Sequence, residues 1–527
     1  MTRSSGILLP VSALPGKYGI GCFSKEAYAF VDFLEAAGQK LWQILPLGQT
    51  SYGDSPYQSF STFAGNPYFI SLEALIEEGV LTQAECDEAD FGDDETSIDY
   101  GKMYAARYVI LRKAFERSHL ETDADYAKFC EENSFWLDDY ALYMAVKADH
   151  DAKCWSEWED DIRLRKPEAL EAYREKLAQD IVFYQYLQYK FSRQWEQLKN
   201  YANEKGIQIV GDLPIYVAFD SSDAWANPQL FQFDEDCKPI AVAGCPPDGF
   251  SATGQLWGNP LYDWPAHKKT GYEWWIRRMA TCYKLYDIIR IDHFRGFDSY
   301  YAIPAGAPTA ESGAWEDGPG YELFETIEKR LGKLNIIVED LGFITDSVRE
   351  LVAKTGWPNM KVLEFAFDSR DDTGANDYIP YVYNKNCVVY TGTHDNETLY
   401  GWLDNISKDD RNMVEAYLDE KGADRKRLVH SLVALAMSSV ADRCVIPMQD
   451  YLCLGNEARM NEPSTLGKNW KWRMRAGKTT DALAKEIYGM SVIYGRTKRR
   501  QSAKPQTTSE ETKSEVSAKS VTGTRYE

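Results

Sequence analysis

The chain has 527 residues, of which 44% are hydrophobic, enough for one large barrel with insertions or for two to four ordinary domains. Its formal net charge of −22 repels phosphate backbones and anionic headgroups. We therefore expect neither a nucleic acid nor a membrane as a partner, whereas a neutral ligand would be unaffected.

The sequence contains no segment that predicts export or membrane insertion. Residues 1–10 lack the apolar core of a signal peptide, and no window reaches the roughly eighteen unbroken apolar residues of a membrane span. The ten cysteines include no C-x-x-C pair, and several lie in apolar runs. This pattern is typical of reduced thiols, so we expect a cytoplasmic protein without a disulfide framework or a zinc site.

Eight short runs rich in Ile, Val and Leu predict strands that are buried on both faces. They are residues 6–9, 41–45, 207–212, 288–292, 336–339, 362–365, 388–390 and 445–449. Amphipathic helical segments, such as residues 25–37 and 273–286, lie between most of them. The alternation predicts an α/β fold, a (β/α)8 TIM barrel with inserted, largely helical subdomains.

Interruptions of the alternation suggest the domain organisation. Residues 1–74 hold the first two strands, residues 75–203 have helical periodicity and predict an insertion, and residues 204–495 hold the rest of the barrel. Residues 217–270 are rich in Pro, Gly, Asn and Trp without a clear period, which predicts an ordered loop over a ligand. Residues 496–527 have few large apolar side chains and predict a disordered tail.

Acidic residues stand at three predicted strand ends: Asp292, Glu339 and Asp395. Parallel barrel strands end at one rim, so the three carboxyl groups should share one mouth. Crowding raises the pKa of at least one of them, and retaining glycosidases use two carboxyl groups about 5–5.5 Å apart. Each acid alone is more often a helix N-cap or an ion-pair partner, and the three together still fit a metal-dependent barrel.

Long motifs in this sequence resemble those of the amylomaltases, or disproportionating enzymes, of the alpha-amylase superfamily. They are SYGDSPYQSFSTFAGNPYFI (51–70), GDLPIYVAFDSSDAWANP (211–228), GCPPDGFSATGQLWGNPLYDW (244–264), RIDHFRGFDSYYAIP (290–304) and TGTHDNETLYGW (391–402). The likeness runs from about residue 6 to residue 472. It implies a 4-alpha-glucanotransferase that acts on maltooligosaccharides and alpha-1,4-glucans without a cofactor or metal.

The resemblance also implies roles for single residues. Asp292 matches the nucleophile that forms a covalent glucosyl ester, Glu339 the general acid and then base, and Asp395 the carboxylate that holds the 2- and 3-hydroxyls of the sugar. Residues that match substrate-binding or supporting positions are Arg290, His293, His394, Tyr57, Asp212, Trp257 and Tyr52. Those within the matching lid are Asp248, Gly249, Phe250 and Ser251.

Each of these assignments has a structural alternative. Arg290 lies two residues before Asp292, on the same strand face, where it would keep the nucleophile ionised or merely balance a buried acid. A core histidine is the alternative for His293 and His394, and an N-cap or loop residue is the alternative for Asp212. For the aromatic residues the alternative is core packing.

Three other interpretations stay open at this point. A hydrolase of the same superfamily would share the acids, because the preference for transfer over hydrolysis follows from the resemblance alone. A non-catalytic glucan-binding barrel and a metal-dependent barrel lyase or isomerase are the others. The oligomeric state is left open between a monomer and a homodimer.

Overall fold

Eight parallel strands within the described residues close into a barrel, which confirms the predicted (β/α)8 fold. The structure is a computed structural model that describes residues 3–51, 53–247, 252–342, 344–371 and 376–500. Its strands are β1 (Ser4–Leu8), β2 (Leu41–Gln43), β3 (Gln208–Leu213), β4 (Ala241–Cys245), β5 (Gln255–Pro260), β6 (Ile288–Ile291), β7 (Ser299–Pro304), β8 (Ala314–Asp317), β9 (Ile336–Val338), β10 (Asn359–Val362), β11 (Cys387–Tyr390) and β12 (Arg443–Pro447). The barrel order is β1, β12, β11, β10, β9, β6, β3, β2, so all eight C-terminal strand ends lie at one rim.

The barrel interior is filled by apolar side chains from alternate positions of its strands. This inner cluster consists of Leu8, Leu41, Val210, Ile288, Ile337, Met360, Val388, Tyr390 and Val445. Their chain neighbours, such as Ile209 and Ile289, belong instead to the large cluster shared with the helices. This period of two is what a strand buried on both faces requires.

Helices surround the barrel and form most of the insertion between β2 and β3. They are α1 (Lys25–Ala36), α2 (Leu72–Glu77), α3 (Gln83–Glu88), α4 (Tyr100–Glu116), α5 (Ala124–Asp149), α6 (Asp160–Arg163), α7 (Pro167–Lys176), α8 (Ala178–Glu204), α9 (Ser222–Ala226), α10 (Trp264–Lys269), α11 (Glu273–Leu285), α12 (Tyr321–Leu331), α13 (Asp346–Thr355), α14 (Leu399–Asn405), α15 (Lys408–Tyr417), α16 (Arg425–Ser438), α17 (Met448–Tyr451) and α18 (Asp481–Ile493). In the part of the chain that the structure covers, no helix is long and apolar enough to cross a membrane.

A second, four-stranded sheet with the order β5, β4, β7, β8 stands beside the barrel. Its pairs are antiparallel, and a register shift between Val242 and Gly244 interrupts the pairing of β4 with β5. Two of its strands fall within residues 217–270, where the sequence shows no clear period. Short strands with a bulge give no sustained alternation, which explains why they were missed.

Two predicted strands end earlier than expected. Strand β10 stops at Val362, and the predicted strand residues that follow form a 3-10 turn, Leu363–Ala366. Strand β12 stops at Pro447, and α17 begins at Met448. An apolar run cannot tell a strand from a buried turn, and the side chains of Leu363 and Met448 are fully buried in either case.

The folded part of the chain includes Arg496, the first residue of the predicted tail. Arg496, which was assigned to the tail, is 1% exposed. Its guanidinium donates hydrogen bonds to the carbonyl oxygens of Met437, Ser4 and Ala441 at 2.8, 2.9 and 3.2 Å. The side chain thus joins the end of α16 to β1, a pairing that composition alone does not reveal. The predicted disorder of residues 501–527 falls outside the described residues.

His267 on α10 should make the fold sensitive to acid. It is fully buried, and its ring centroid lies 5.3, 5.5 and 5.8 Å from those of Tyr262, Trp264 and Trp274. Burial lowers the pKa of His267 to about 4. Below the unfolded pKa of about 6.5, the unfolded chain therefore binds a proton that the folded chain rejects, so this group lowers stability as pH falls from 6.5 towards 4.

We expect the His267→Phe variant to lose this acid sensitivity. Between pH 7 and pH 5, its free energy of unfolding should rise by about 2 kcal/mol relative to that of the unmodified chain. Urea unfolding at both pH values measures the difference. The control is His119→Gln, because the side chain of His119 is 86% exposed. If the free energies of unfolding of His267→Phe and the unmodified chain differ by the same amount at both pH values, His267 is not the source of the acid sensitivity.

Candidate active site

Asp292 and Glu339 follow the neighbouring barrel strands β6 and β9. The backbone N–H of Glu339 donates to the carbonyl of Ile291 at 3.0 Å, which continues the strand pairing to the rim. The Glu339 Oε2 atom accepts a hydrogen bond of 2.7 Å from the backbone N–H of His293. One predicted acid is therefore bonded to the peptide that directly follows the other, as the shared rim requires.

Arg290 joins Asp292 to Asp212 on β3. Its Nη1 atom lies 3.0 Å from Asp292 Oδ1 and 2.7 Å from both carboxylate oxygens of Asp212. The side chains of Arg290 and Asp212 are 3% and 0% exposed, whereas that of Asp292 is 27% exposed. Of the two carboxylates bonded to Arg290, only that of Asp292 is therefore exposed at the mouth, with the Arg290 charge behind it.

The structure places Asp212 behind Arg290 and Tyr57. Its carboxylate has no exposed surface, because Arg290 covers one side and the Tyr57 hydroxyl donates a 2.8 Å hydrogen bond to Oδ2 on the other. Asp212 lies in register with Arg290 on the paired strands β3 and β6. Asp212 therefore contacts Arg290 and Tyr57 directly, and its side chain has no exposed surface.

The environment separates the pKa values of the two neighbouring acids. Burial raises the pKa of Asp292 to about 6, although the Arg290 charge opposes this effect. Burial and then the charge of Asp292 raise the pKa of Glu339 to about 7. Because the two groups titrate as a pair, the stable form near neutral pH has Asp292 ionised and the shared proton on Glu339.

Asp395 lies beyond β11 and has the opposite pKa shift. Burial raises its pKa, but His394 and a hydrogen bond from Asn461 outweigh this and lower the pKa to about 2. The Asp395 Oδ2 atom lies 3.2 Å from His394 Nε2, and Oδ1 accepts a 2.6 Å hydrogen bond from Asn461 Nδ2. With a side chain 42% exposed, Asp395 offers an ionised carboxylate to the mouth.

Tyr57 connects the two sides of this site. Besides its bond to Asp212, its hydroxyl oxygen lies 2.9 Å from His394 Nε2, and the two rings stack with centroids 5.3 Å apart. Trp470 packs against both rings at 5.8 and 5.9 Å. The aromatic edge of the mouth is therefore rigid, and the partly exposed Tyr57 is its surface.

His293, the residue after Asp292, packs against Trp257. The backbone of His293 is left-handed, with φ of 49°, and turns the side chain away from the strand direction. Its ring meets that of Trp257, on β5, edge to face at 4.8 Å. Burial, and then the Arg295 charge, lower the pKa of His293 to about 3, so the neutral ring has one donor and one acceptor for hydroxyl groups.

Tyr52 and the lid residues Asp248, Gly249, Phe250 and Ser251 all lie outside the described residues. Within the described ranges, no group of three or more His, Cys, Asp and Glu side chains is arranged to hold a metal ion.

Two residues of the site escaped the sequence analysis as functional candidates. Asn461 binds the Asp395 carboxylate, and its backbone N–H donates to the His394 carbonyl at 3.1 Å. Arg459 donates to the Asp395 carbonyl at 2.7 Å. Their distance of more than sixty residues from Asp395 in sequence hides the contact. The only signal in the sequence is that both residues fall within the stretch, residues 6–472, that resembles the amylomaltases.

A closed (β/α)8 barrel that gathers carboxyl groups with raised pKa values at the C-terminal rim is the arrangement expected of an enzyme that acts on glycosidic bonds. Residues 9–479 match the family described as 4-alpha-glucanotransferase. The chain belongs to this family of glycosyl-transferring enzymes.

Individual relatives agree with this assignment. The chain is 49% identical to a 4-alpha-glucanotransferase of Clostridium butyricum over 488 residues, covering 92% of this chain and 99% of the relative. It is 51% identical to one from Streptococcus pneumoniae over 497 residues, covering 94% and 97%. The solved amylomaltase of Streptococcus agalactiae, in complex with acarbose, is similar with a TM-score of 0.90 and 42% identity, covering 94% of this chain and 100% of that one.

Proposed function

We propose that Asp292 and Glu339 carry out a retaining double displacement that moves alpha-1,4-glucan segments to the 4-hydroxyl of an acceptor. The observation that supports the pair most directly is their arrangement on adjacent strands with Arg290 bonded to Asp292 alone of the two. Asp292 is then the ionised nucleophile, and Glu339, with the higher pKa, is the proton donor.

In the first step, a carboxylate oxygen of Asp292 attacks C1 of the donor glucose from one face. The bond from C1 to the glycosidic oxygen breaks, and the proton of Glu339 passes to that oxygen as the reducing-end fragment leaves. The result is a glucosyl ester of Asp292 and an ionised Glu339.

In the second step, Glu339 takes the proton of the acceptor 4-hydroxyl, and the acceptor oxygen attacks C1 of the ester. The C1–Asp292 bond breaks, which restores both carboxyl groups and leaves a new alpha-1,4 bond. The bonds broken and formed are alike, so the exchange is nearly thermoneutral. The acceptors are glucose and other glucans.

Asp395 stabilises the oxocarbenium-like transition state between these species. Because its pKa is about 2, its carboxylate is ionised whenever the enzyme is active, and it accepts hydrogen bonds from the 2- and 3-hydroxyls. His293 and His394 bind further hydroxyls, and Tyr57 and Trp257 pack against sugar rings. A cytoplasmic location and a monomeric or homodimeric state stay predictions from the sequence.

The products formed from pure maltotriose test this proposal. Transfer should produce glucose together with maltotetraose and longer chains, and the number of reducing ends should stay constant because each cleavage is matched by a new bond. Chromatography and a reducing-end assay on the same samples measure both. Glucose and maltose alone, with a rising number of reducing ends, would establish the hydrolase instead. The inactive control is Asp292→Asn.

A further inference from the structure

The loop that carries His394 and Asp395, residues 391–398, rests on a buried acid outside the catalytic set. This acid is Glu364, 7% exposed, on the 3-10 turn after β10. Its backbone N–H donates to the carbonyl of Thr391 at 3.1 Å, which extends the pairing of β10 with β11 into the loop. Glu364 is therefore anchored beneath the first residue of that loop.

A chain of hydrogen bonds runs from Glu364 to Asp395. Glu364 Oε2 accepts from Asn396 Nδ2 at 3.0 Å. Asn396 Oδ1 accepts from the backbone N–H and the hydroxyl of Thr393 at 3.0 and 2.9 Å, and Thr393 Oγ1 accepts from the backbone N–H of Asp395 at 3.3 Å. Since the Thr393 N–H is a donor, it fixes the amide orientation, and Nδ2 must point at Glu364.

The other carboxyl oxygen of Glu364 is packed away from solvent. A Cβ atom at Gly392 would lie 2.9 Å from Oε1, so the glycine lets the loop cross directly over the acid. Burial and then the charge of Asp450 raise the pKa of Glu364 well above its ordinary value. The nearby charged groups also include Glu397, which acts in the same direction, and Arg459, which opposes it. These effects favour the neutral form of Glu364, which can still accept the hydrogen bond from Asn396.

We propose that Glu364 is a positioning residue for glucan transfer, which fixes through Asn396 and Thr393 the backbone that presents the Asp395 carboxylate to the sugar. The inference rests on the proposed role of Asp395. A carboxyl group suits this place because its oxygen accepts the hydrogen bond from Asn396, and protonation relieves its repulsion with Asp450 and Glu397. The contact is made to the loop and not to the substrate, so its effect should appear in the chemical step.

Two substitutions at Glu364 separate positioning from packing. Glu364→Leu keeps the volume but removes the acceptor, and kcat on maltotriose should fall about 30-fold while KM changes less than about threefold, because Asp395 acts mainly in the transition state. Glu364→Gln keeps the acceptor and mimics the neutral acid, so kcat should stay within about threefold of that of the unmodified enzyme.

A coupled variant and a matched control complete the experiment. Asn396→Ala should lower kcat about as much as Glu364→Leu, and the double variant should lower it no further, because both break one chain of contacts. The control is Asp223→Ala, which removes another buried acid that accepts from the backbone of Thr62 at 2.8 Å on a different loop. It should lower the melting temperature but leave kcat of the folded enzyme unchanged.

The outcomes distinguish the positioning role from the proposed function. The inference is overturned if folded Glu364→Leu keeps kcat within twofold, if Glu364→Gln loses as much as Glu364→Leu, or if the effects of Glu364→Leu and Asn396→Ala multiply. Asp395→Asn is measured alongside. If that variant stays active, the role of Asp395 fails; if it is inactive and the Glu364 variants are not, only the inference fails.

Discussion

Replacement of Asp292 by Asn should abolish glucan transfer while leaving the fold intact. The amide keeps the shape of the side chain, but it cannot form the ester, so kcat on maltotriose should fall by a factor on the order of 10^4 or more. Arg290 keeps its two bonds to Asp212, which limits the structural damage. Glucose release from maltotriose and the melting temperature measure the two effects.

A surface acid supplies the control for this variant. Asp317→Asn removes a negative charge from the exposed strand β8, and its kcat should equal that of the unmodified enzyme. The nucleophile assignment does not survive if Asp292→Asn retains a tenth of the activity. Mass spectrometry adds a direct check, since a 2-fluoro or slowly reacting donor should label the peptide that contains Asp292 and no peptide of the Asn variant.

Glu339→Gln should lose about 10^2–10^4-fold in kcat on maltotriose, because no group then protonates the departing oxygen. A maltosyl fluoride donor should recover most of the first step, since fluoride leaves without a proton. Added azide should then yield a glycosyl azide, because azide attacks the ester without a base. An equal loss with maltosyl fluoride and maltotriose would contradict the acid role.

The same variant has a predicted effect on the pH profile. In the unmodified enzyme, activity should fall below about pH 6 as Asp292 takes up a proton and above about pH 7 as Glu339 loses one. With maltosyl fluoride as the donor, Glu339→Gln should lack the decline on the alkaline side and keep the one on the acid side. If Glu339→Gln keeps the decline in activity on the alkaline side, a group other than Glu339 causes that decline.

The sequence predicted the barrel because its strands are buried on both faces and leave continuous apolar runs. Asp292, Glu339 and Asp395 became candidates for the same reason, since each stands at or just past the end of such a run. The prediction of a strand over residues 362–365 was wrong, because Glu364 lies on a turn that is as buried as a strand. Burial is visible in a sequence, but the backbone direction that follows a strand is not.

The contacts between distant segments could not be predicted. Asn461 reaches Asp395 only because the barrel closes, and Arg496 is buried only because the end of α16 lies beside the start of β1. Asp212 was matched to a substrate-binding position by the resemblance, and the contact of both its oxygens with its neighbour in register, Arg290, could not be foreseen. Which of two rim side chains faces the mouth depends on pairing across strands, and a single sequence does not encode that choice locally.

The charge of Asp292 raises the pKa of Glu339, and ester formation removes that charge. Once the sugar is attached, the pKa of Glu339 must fall, so the residue that has just given up a proton is slow to regain one from solvent. Glu339 therefore stays ionised and can act as a base when an acceptor hydroxyl binds. In the same state Arg290 stays paired with Asp212, so these two groups together add no net charge behind the ester. The charge of Asp292 thus determines whether Glu339 is protonated in each half-reaction.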